Sequence, residues 1–488
     1  MRRTLPIAAV AAIGVLASLV RLRLLTHGAG LAASDMYDDG VYYAAADALV
    51  HGRLPYRDFL LLHPPGITLV LAPFAALGSV LGDPVGVSLA RIAFLALGGL
   101  NTALIAVIGA RHSRGAALVA GIGAAVLYPL AYSERTTLLE PVATDLLLWS
   151  LLLRLRGPAR GHAALLSGLL AGAAVDVKAW YVVPVLLIGT LTGPGRMRWF
   201  AGAGIAAVAI AAPFLVAAPA AMVREVVLDQ LGRPHATGLH ALVRRLVVVA
   251  SDPAVPGADA DGRHLADAAA GLVLVAVVLA AIAAWRVRWA RILVVLTAVD
   301  AAVLLSSPSF FPHYVAYVAP WMLLTLGVGA AEAARRMRSR WRRVLLLTVP
   351  VALVVGVNAP ADLVRGSVPQ PAAALHAVLA GRPGCVIADD PGLLADAGLL
   401  SPDLARGCPL WPDVTGWTYD RDLQRADGRV LAPSRSPRWQ HDVLRYLLSG
   451  RFVVLARRGT GLSPASAERI ARLPVVARVG RLVVHEQP

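Results

Sequence analysis

The chain has 488 residues, of which 57% are hydrophobic and only 16% charged, with a mean hydropathy of +0.66. A soluble domain cannot bury that much apolar surface, so a water-soluble protein is excluded. The formal net charge of +16 would suit nucleic acid. However, the basic residues lie in short loops between apolar runs, which is the pattern that orients a membrane protein, so no nucleic-acid partner is expected.

Arg2 and Arg3 precede an apolar stretch that reaches Val20. With no small-residue cleavage site before Arg21, it reads as a retained first span with a cytoplasmic N-terminus. Further spans are expected near 88–110, 115–131, 138–154, 162–176, 180–192, 198–218, 267–285, 291–306, 313–331 and 343–358, about eleven in all. Backbone polar groups in lipid must be satisfied within each segment, so these spans should be helices. Parity then places Arg111–Arg114, Arg154–Arg160, Arg196–Arg198, Arg286–Arg291 and Arg335–Arg343 inside, and each of these loops is Arg-rich. Residues 67–82 are apolar but short, and counting them as a span would put the basic loops outside. They read instead as a helix along the outer membrane surface. The outer loop 219–265 breaks the charge pattern with Arg224, Arg233, Arg244 and Arg245. The pair Arg244–Arg245 suits an interfacial helix.

From about residue 359 prolines, glycines and charges become frequent. Cys385–Ala388, Phe452–Ala456 and Arg481–Val484 read as short strands, and Trp439–Leu448 has helical spacing. The expected organisation is a transmembrane domain, 1–358, and a soluble extracytoplasmic α/β domain, 359–488. The two cysteines, Cys385 and Cys408, both fall in that tail. Outside the cytosol they could pair; two buried thiols fit the sequence equally well.

Chemistry concentrates in the first outer loop, 21–87. Asp35, Asp38 and Asp39 crowd before the helical stretch Val41–Leu49. A helix cap needs one Asp, not three. Like charges this close raise each other's pKa, which suits a general base or a divalent-cation ligand such as one for Mg or Mn. Downstream come Pro55-Tyr56-Arg57-Asp58 and His63-Pro64-Pro65, where the prolines stop any helix and fix the direction of His63.

This order of features resembles the GT-C superfamily of membrane glycosyltransferases, which includes protein O-mannosyltransferases and lipid A aminoarabinose transferases. An acidic pair opens a Tyr-containing surface helix, then come a Pro-Tyr turn and a His-Pro-Pro that opens a second surface helix. Glu134–Pro141 resembles the family's outer loop into its fourth span, and Phe311-Pro312-His313-Tyr314 through Pro320 a late His-Tyr…Pro span. The resemblance covers about 30–330. It departs in having Asp38-Asp39 where the family often has Asp-Glu, and His63 where the aminoarabinose branch has Lys, so neither branch's substrate carries over.

The resemblance implies a multi-pass cell-membrane enzyme. It would move a sugar from a polyprenyl-phosphate carrier to a glycan, lipid or protein acceptor outside the cytosol. Asp38 is the first candidate for the base, then Asp39, then Asp35. Cations at the outer face would stabilise the phosphate leaving group. The candidates are Arg57, His63, Arg91, Arg135 with Glu140, Lys178 and His313. Each has a plainer reading: Lys178, the only lysine in the chain, could pair with Asp176 or another carboxylate. Arg135 and Glu140 could pair at the interface, Arg91 could snorkel, and His313 could cap its span. The three Asp residues could hold a divalent cation, Mg or Mn, or none, and no other cofactor is identified.

Asp145 and Asp300 fall inside apolar spans, where charge is costly, and should pair in the bundle interior. They would serve the rival reading, a transporter or lipid flippase, but the halves show no repeat symmetry. A third reading is a non-catalytic assembly or sensor protein. In the tail, Asp389-Asp390-Pro391-Gly392 reads as a turn after a strand. Trp411, Trp417 and Tyr419 read as small-domain core or as platforms for sugar rings.

Overall fold

The computed structural model describes residues 5–27, 30–33, 36–155, 161–191, 193, 195–233, 239–251, 260–358, 370–417, 431–457 and 461–488. Each of the eleven apolar stretches falls on helix. Among the described residues six helices are individually long and apolar enough to cross a bilayer: Ile7–His27, Asp83–Ala110, Arg196–Ala217, Asp267–Ala284, Arg288–Ser306 and Arg340–Asn358. A helix pair, Arg114–Val126 followed by Tyr128–Glu134, passes the same test together and is bent by 63°, as a broken span or a re-entrant loop. The stretch 67–82 forms the helix Gly66–Leu81. The chain divides into two compact units: Met1–His27 with Ala93–Ile210 and His235–Gly366, and Gly28–Ile92 with Ala211–Pro234 and Ser367–Pro488.

In the first unit the break at Leu127 explains two buried polar residues. A break strands backbone groups that lipid cannot solvate. The side chain of Asn358 takes the Tyr128 N–H at 2.8 Å. Arg21 donates to the Ala124 and Ala125 carbonyls, both at 3.2 Å. The same guanidinium pairs with Glu134, its Nε 2.8 Å from the carboxylate, and Asn101 Nδ2 donates to the other Glu134 oxygen at 2.8 Å. Arg21 and Glu134 are both fully buried. Removing one partner leaves an uncompensated charge, at a cost of about 3–5 kcal/mol. Arg21→Met is therefore expected to lower the unfolding temperature in detergent sharply, and Arg21→Met with Glu134→Gln to recover much of the loss. An unchanged melt for the single variant would refute the strut.

The basic loops of this unit are tied to one another. Arg111 donates to the Leu155 carbonyl, Arg154 to that of Gly193 at 3.0 Å, and His112 lies 3.5 Å from Glu332. These contacts join segments at or beside four of the five Arg-rich loops.

The second unit carries the sheet, in the order β1 (Val386–Ala388), β2 (Phe452–Val454), β4 (Leu482–Glu486), β3 (Val475–Val479). β1 and β2 are parallel, and β4 is antiparallel to both β2 and β3. β1 and β2 are wholly buried. Ile387 and Val453 pack with Trp439, Val443, Tyr446 and Leu447, on one face of the helix Pro437–Leu447, and with Ile470. Cys385 and Cys408 are disulfide-bonded, with Cα atoms 5.5 Å apart.

The segment Gly28–Ile92 belongs to this unit and packs on the tail. The helix Tyr37–Val50 approaches the helix Pro391–Asp396 so closely that a Cβ on Gly40 would lie 2.6 Å from Gly392 Cα. Only glycine fits at such a backbone contact. Beside it Ser401 Oγ lies 2.9 Å from Asp47 Oδ2 and also contacts Asp83 Oδ1, while its backbone N–H donates to Asp83 Oδ2 at 3.1 Å. One hydroxyl proton cannot satisfy two carboxylates, so the second contact requires a proton on a carboxyl. Burial, reinforced by Asp83, pushes Asp47 up to about 8.

The folded state therefore binds more protons than the unfolded chain between about pH 4 and 8. The contribution of Asp47 to stability is fullest at the acid end of that window and falls by about 1.4 kcal/mol per pH unit as pH rises through it. Asp47→Asn is expected to flatten this dependence, read as unfolding temperature against pH. Equal slopes for variant and parent would exclude the shared proton.

Candidate active site

The acidic stretch lies in the first turn of the helix Tyr37–Val50, yet no Asp caps it: the N-cap is Met36, with no side-chain hydrogen bond. The carboxylates near this N-terminus are thus left for other work. Asp39 is buried and pairs with Arg91 at 2.7 Å, both side chains 1% exposed. Arg91 also donates to the carbonyls of Gly30 and Leu31, at 3.1 and 3.0 Å, and to that of Ala33. It is a buried strut for the loop entering the helix rather than a snorkelling cation. Asp38 is only partly buried, and Asp35 lies outside the described residues.

The tail supplies neighbours that sequence reasoning did not assign. Tyr37 Oη donates to Asp413 at 3.1 Å and accepts from the Thr415 N–H at 3.2 Å, and Arg457 lies 4.0 Å from its ring. Burial, helped by the Asp413 charge, holds the phenol well above its ordinary range, so it stays protonated and donating. Asp389 accepts from the Ala456 N–H at 2.6 Å, and Asp390 caps Pro391–Asp396 through the Gly392 N–H at 3.0 Å. Burial and Asp389 raise Asp390 to about 7, with a smaller push from Asp39. Both therefore act in the turn expected of them. Trp411 is sandwiched between Trp417 and Tyr446, each 4.6 Å away, against the domain core, so the core reading holds for these tryptophans. Tyr419 lies outside the described residues.

His63 packs edge-on against Tyr42 at 5.7 Å, and Tyr56 donates to its carbonyl at 2.7 Å. The segment before it is gripped from the 219–233 region: the Leu61 N–H donates to buried Glu225 at 2.8 Å, and Gln230 donates to the Leu62 carbonyl at 2.5 Å. Glu225 sits in a π-helical turn, Arg224–Leu228. Such turns recur near functional sites, but no sequence signal marks them. Arg57 is half exposed and paired with its neighbour Asp58 at 2.7 Å.

The first unit gathers the other candidates. Lys178 pairs with Glu140, both side chains at most 2% exposed, so its carboxylate partner is Glu140 rather than Asp176. Its ammonium lies 3.9 Å from the Tyr314 ring and 5.0 Å from that of Trp180, an aromatic wall that attracts cations. His313 is buried edge-on to Tyr314 at 4.7 Å, within electrostatic reach of Glu140, Lys178 and Arg135. Arg135 donates to the Tyr132 carbonyl at 2.8 Å and lies over its ring.

Tyr181 Oη is 2.9 Å from Thr144 Oγ1, and Tyr317 donates to Asp300 at 3.1 Å. Asp300 is buried with that partner, as expected; Asp145 Oδ1 is buried without a hydrogen bond among the described residues. The cluster sets the Lys178–Glu140 pair among the rings of Tyr314 and Trp180. No cluster of three metal-ligating side chains occurs among the described residues.

The solved structure of ArnT from Cupriavidus metallidurans bound to undecaprenyl phosphate superposes with a TM-score of 0.59 at 16% identity, over 98% of this chain and 97% of that one. Its apo form gives 0.60 at the same identity and coverage. The chain has the GT-C membrane fold. A third GT-C neighbour, the archaeal oligosaccharyltransferase AglB from Archaeoglobus fulgidus, in complex with an inhibitory peptide and a dolichol-phosphate, gives 0.52 at 12% identity over 91% of this chain and 69% of that one. No protein-family model and no curated protein sequence matches. The GT-C likeness spans the tail as well as the helices, which the sequence resemblance, ending near residue 330, did not reach.

Proposed function

We propose that this chain is a membrane glycosyltransferase. It takes a sugar from a polyprenyl-phosphate carrier and places it on an acceptor hydroxyl outside the cytosol. The observation that carries this reading is the near end-to-end likeness to a GT-C structure that holds undecaprenyl phosphate. Asp38 is the general base: it is the acidic-pair member not committed to Arg91, and it is partly exposed. Lys178, with His313 and Arg135, is the phosphate end. There Glu140 and Tyr314 position the ammonium, whose charge offsets the negative charge that develops on the leaving phosphate. His63 and Arg57 are further candidates for contact with the carrier phosphate or its sugar. A divalent cation, if used, would draw on the first-loop carboxylates.

The tail lies outside the cytosol in this reading. Its Cys385–Cys408 disulfide supports that side, because disulfides persist in oxidising compartments. The test is a transfer assay in membranes with labelled polyprenyl-phosphate sugars, with and without chelator. Transfer from at least one donor is expected. No transfer from any donor, with correctly folded protein, would overturn the assignment.

A further inference from the structure

The hairpin joining Ala319–Arg336 to Arg340–Asn358 carries more charge than the protein itself answers. Arg335, Arg336, Arg338, Arg340, Arg342 and Arg343 are six arginines in nine residues. Within the unit Glu332 is the carboxylate that meets them, 3.2 Å from Arg335 and 3.0 Å from Arg336, and it also faces His112 at 3.5 Å. Arg343, itself exposed, donates its Nε to the Met337 carbonyl at 2.7 Å and closes the turn. Arg338, Arg340 and Arg342 are exposed and have no anionic partner among the described residues. Between them Trp341 is 78% exposed. It stands at the start of an apolar helix of which only 17% is buried within the protein, so the rest of that helix faces lipid.

We propose that this hairpin is a headgroup site for an anionic phospholipid of the adjoining leaflet. Guanidinium forks match a phosphodiester in geometry and charge. A tryptophan at the end of a lipid-facing helix sits at headgroup depth, its ring among acyl chains and its N–H toward water. A soluble anion would meet the same charges but would gain nothing from Trp341, which is why the bilayer is the favoured source. The hairpin is held ready: Glu332 fixes the first two arginines, and the Arg343–Met337 contact fixes the turn. The remaining three therefore need no large rearrangement to bind. This site is independent of the glycosyltransferase reading.

The full chain would be reconstituted in phosphatidylcholine nanodiscs with and without phosphatidylglycerol, and bound lipid counted by native mass spectrometry. The parent is expected to enrich phosphatidylglycerol and to melt higher in its presence. Each basic residue near an anionic surface contributes about fivefold in binding, so the R338Q/R340Q/R342Q variant should lose roughly a hundredfold in affinity. The corresponding triple Lys variant should keep most of the enrichment, and Trp341→Ala should weaken it without changing the salt dependence. Equal phosphatidylglycerol enrichment by the triple Gln variant overturns the proposal. So does displacement of the lipid by inorganic phosphate at physiological concentration, which would mark a soluble-anion site. A melt in phosphatidylcholine alone that matches the parent confirms that the triple Gln variant is folded.

Discussion

Asp38→Asn is expected to cut sugar transfer by about 10²–10⁴-fold while the protein still folds and still binds its carrier. The substitution keeps shape and hydrogen-bonding capacity but removes the group that can accept the acceptor's proton. Asp38 is partly exposed. The neighbouring substitution should behave differently. Asp39→Asn leaves Arg91 buried without its counter-ion, and the segment Gly30–Ala33 held by Arg91 loosens. That variant should lose stability first and activity as a consequence. A pH profile separates the two: the acid limb of the rate should vanish in the Asp38 variant and persist in the Asp39 variant. Full transfer by the Asp38 variant would remove it as the base.

Lys178→Met should be more damaging, because it acts on both stability and chemistry. The ammonium is buried against Glu140 and the Tyr314 ring. Its removal leaves a carboxylate uncompensated at low exposure, at a cost of about 3–5 kcal/mol. Loss of transfer by this variant alone would therefore prove nothing. The double variant Lys178→Met with Glu140→Gln removes both charges and is expected to restore the melt. If Lys178 answers the leaving phosphate, transfer stays lost in the double variant and carrier binding weakens. If the pair is only structural, transfer returns with stability.

The sequence disclosed most of what repeats and little of what closes in space. All eleven apolar runs fall on helices, because lipid leaves the backbone few alternatives. The strand Val475–Val479 was not anticipated. It is an edge strand with mixed exposure, so it carries no clean alternation. The kink at Leu127 lies inside an apolar run that reads as one span; Pro129, which cannot continue the preceding helix, is its local signal, and Arg21 and Asn358 are its remedies. The Asp38, Asp39, Lys178 and His313 candidates were visible as unusual residue types in an Arg- and Ala-rich chain. Their partners were not. Asp39 with Arg91 and Lys178 with Glu140 are separated by 52 and 38 residues, and no local periodicity reports a contact of that kind. Ser401, which joins two carboxylates more than 300 positions earlier in the chain, had no signal at all.

The kink at Leu127 also constrains how the protein is made. Tyr128 has its backbone N–H satisfied by a side chain 230 residues further along. Arg21 enters the membrane before Glu134 has been synthesised. During translation the first span thus carries an unanswered cation, and the broken helix an unanswered amide, until much later segments emerge. The helical half cannot mature one hairpin at a time, and its last span acts as the latch that completes the first. A ribosome stalled before Asn358 should hold a nascent chain that is inserted yet still protease-sensitive near Leu127, with protection arriving only once that span is in place.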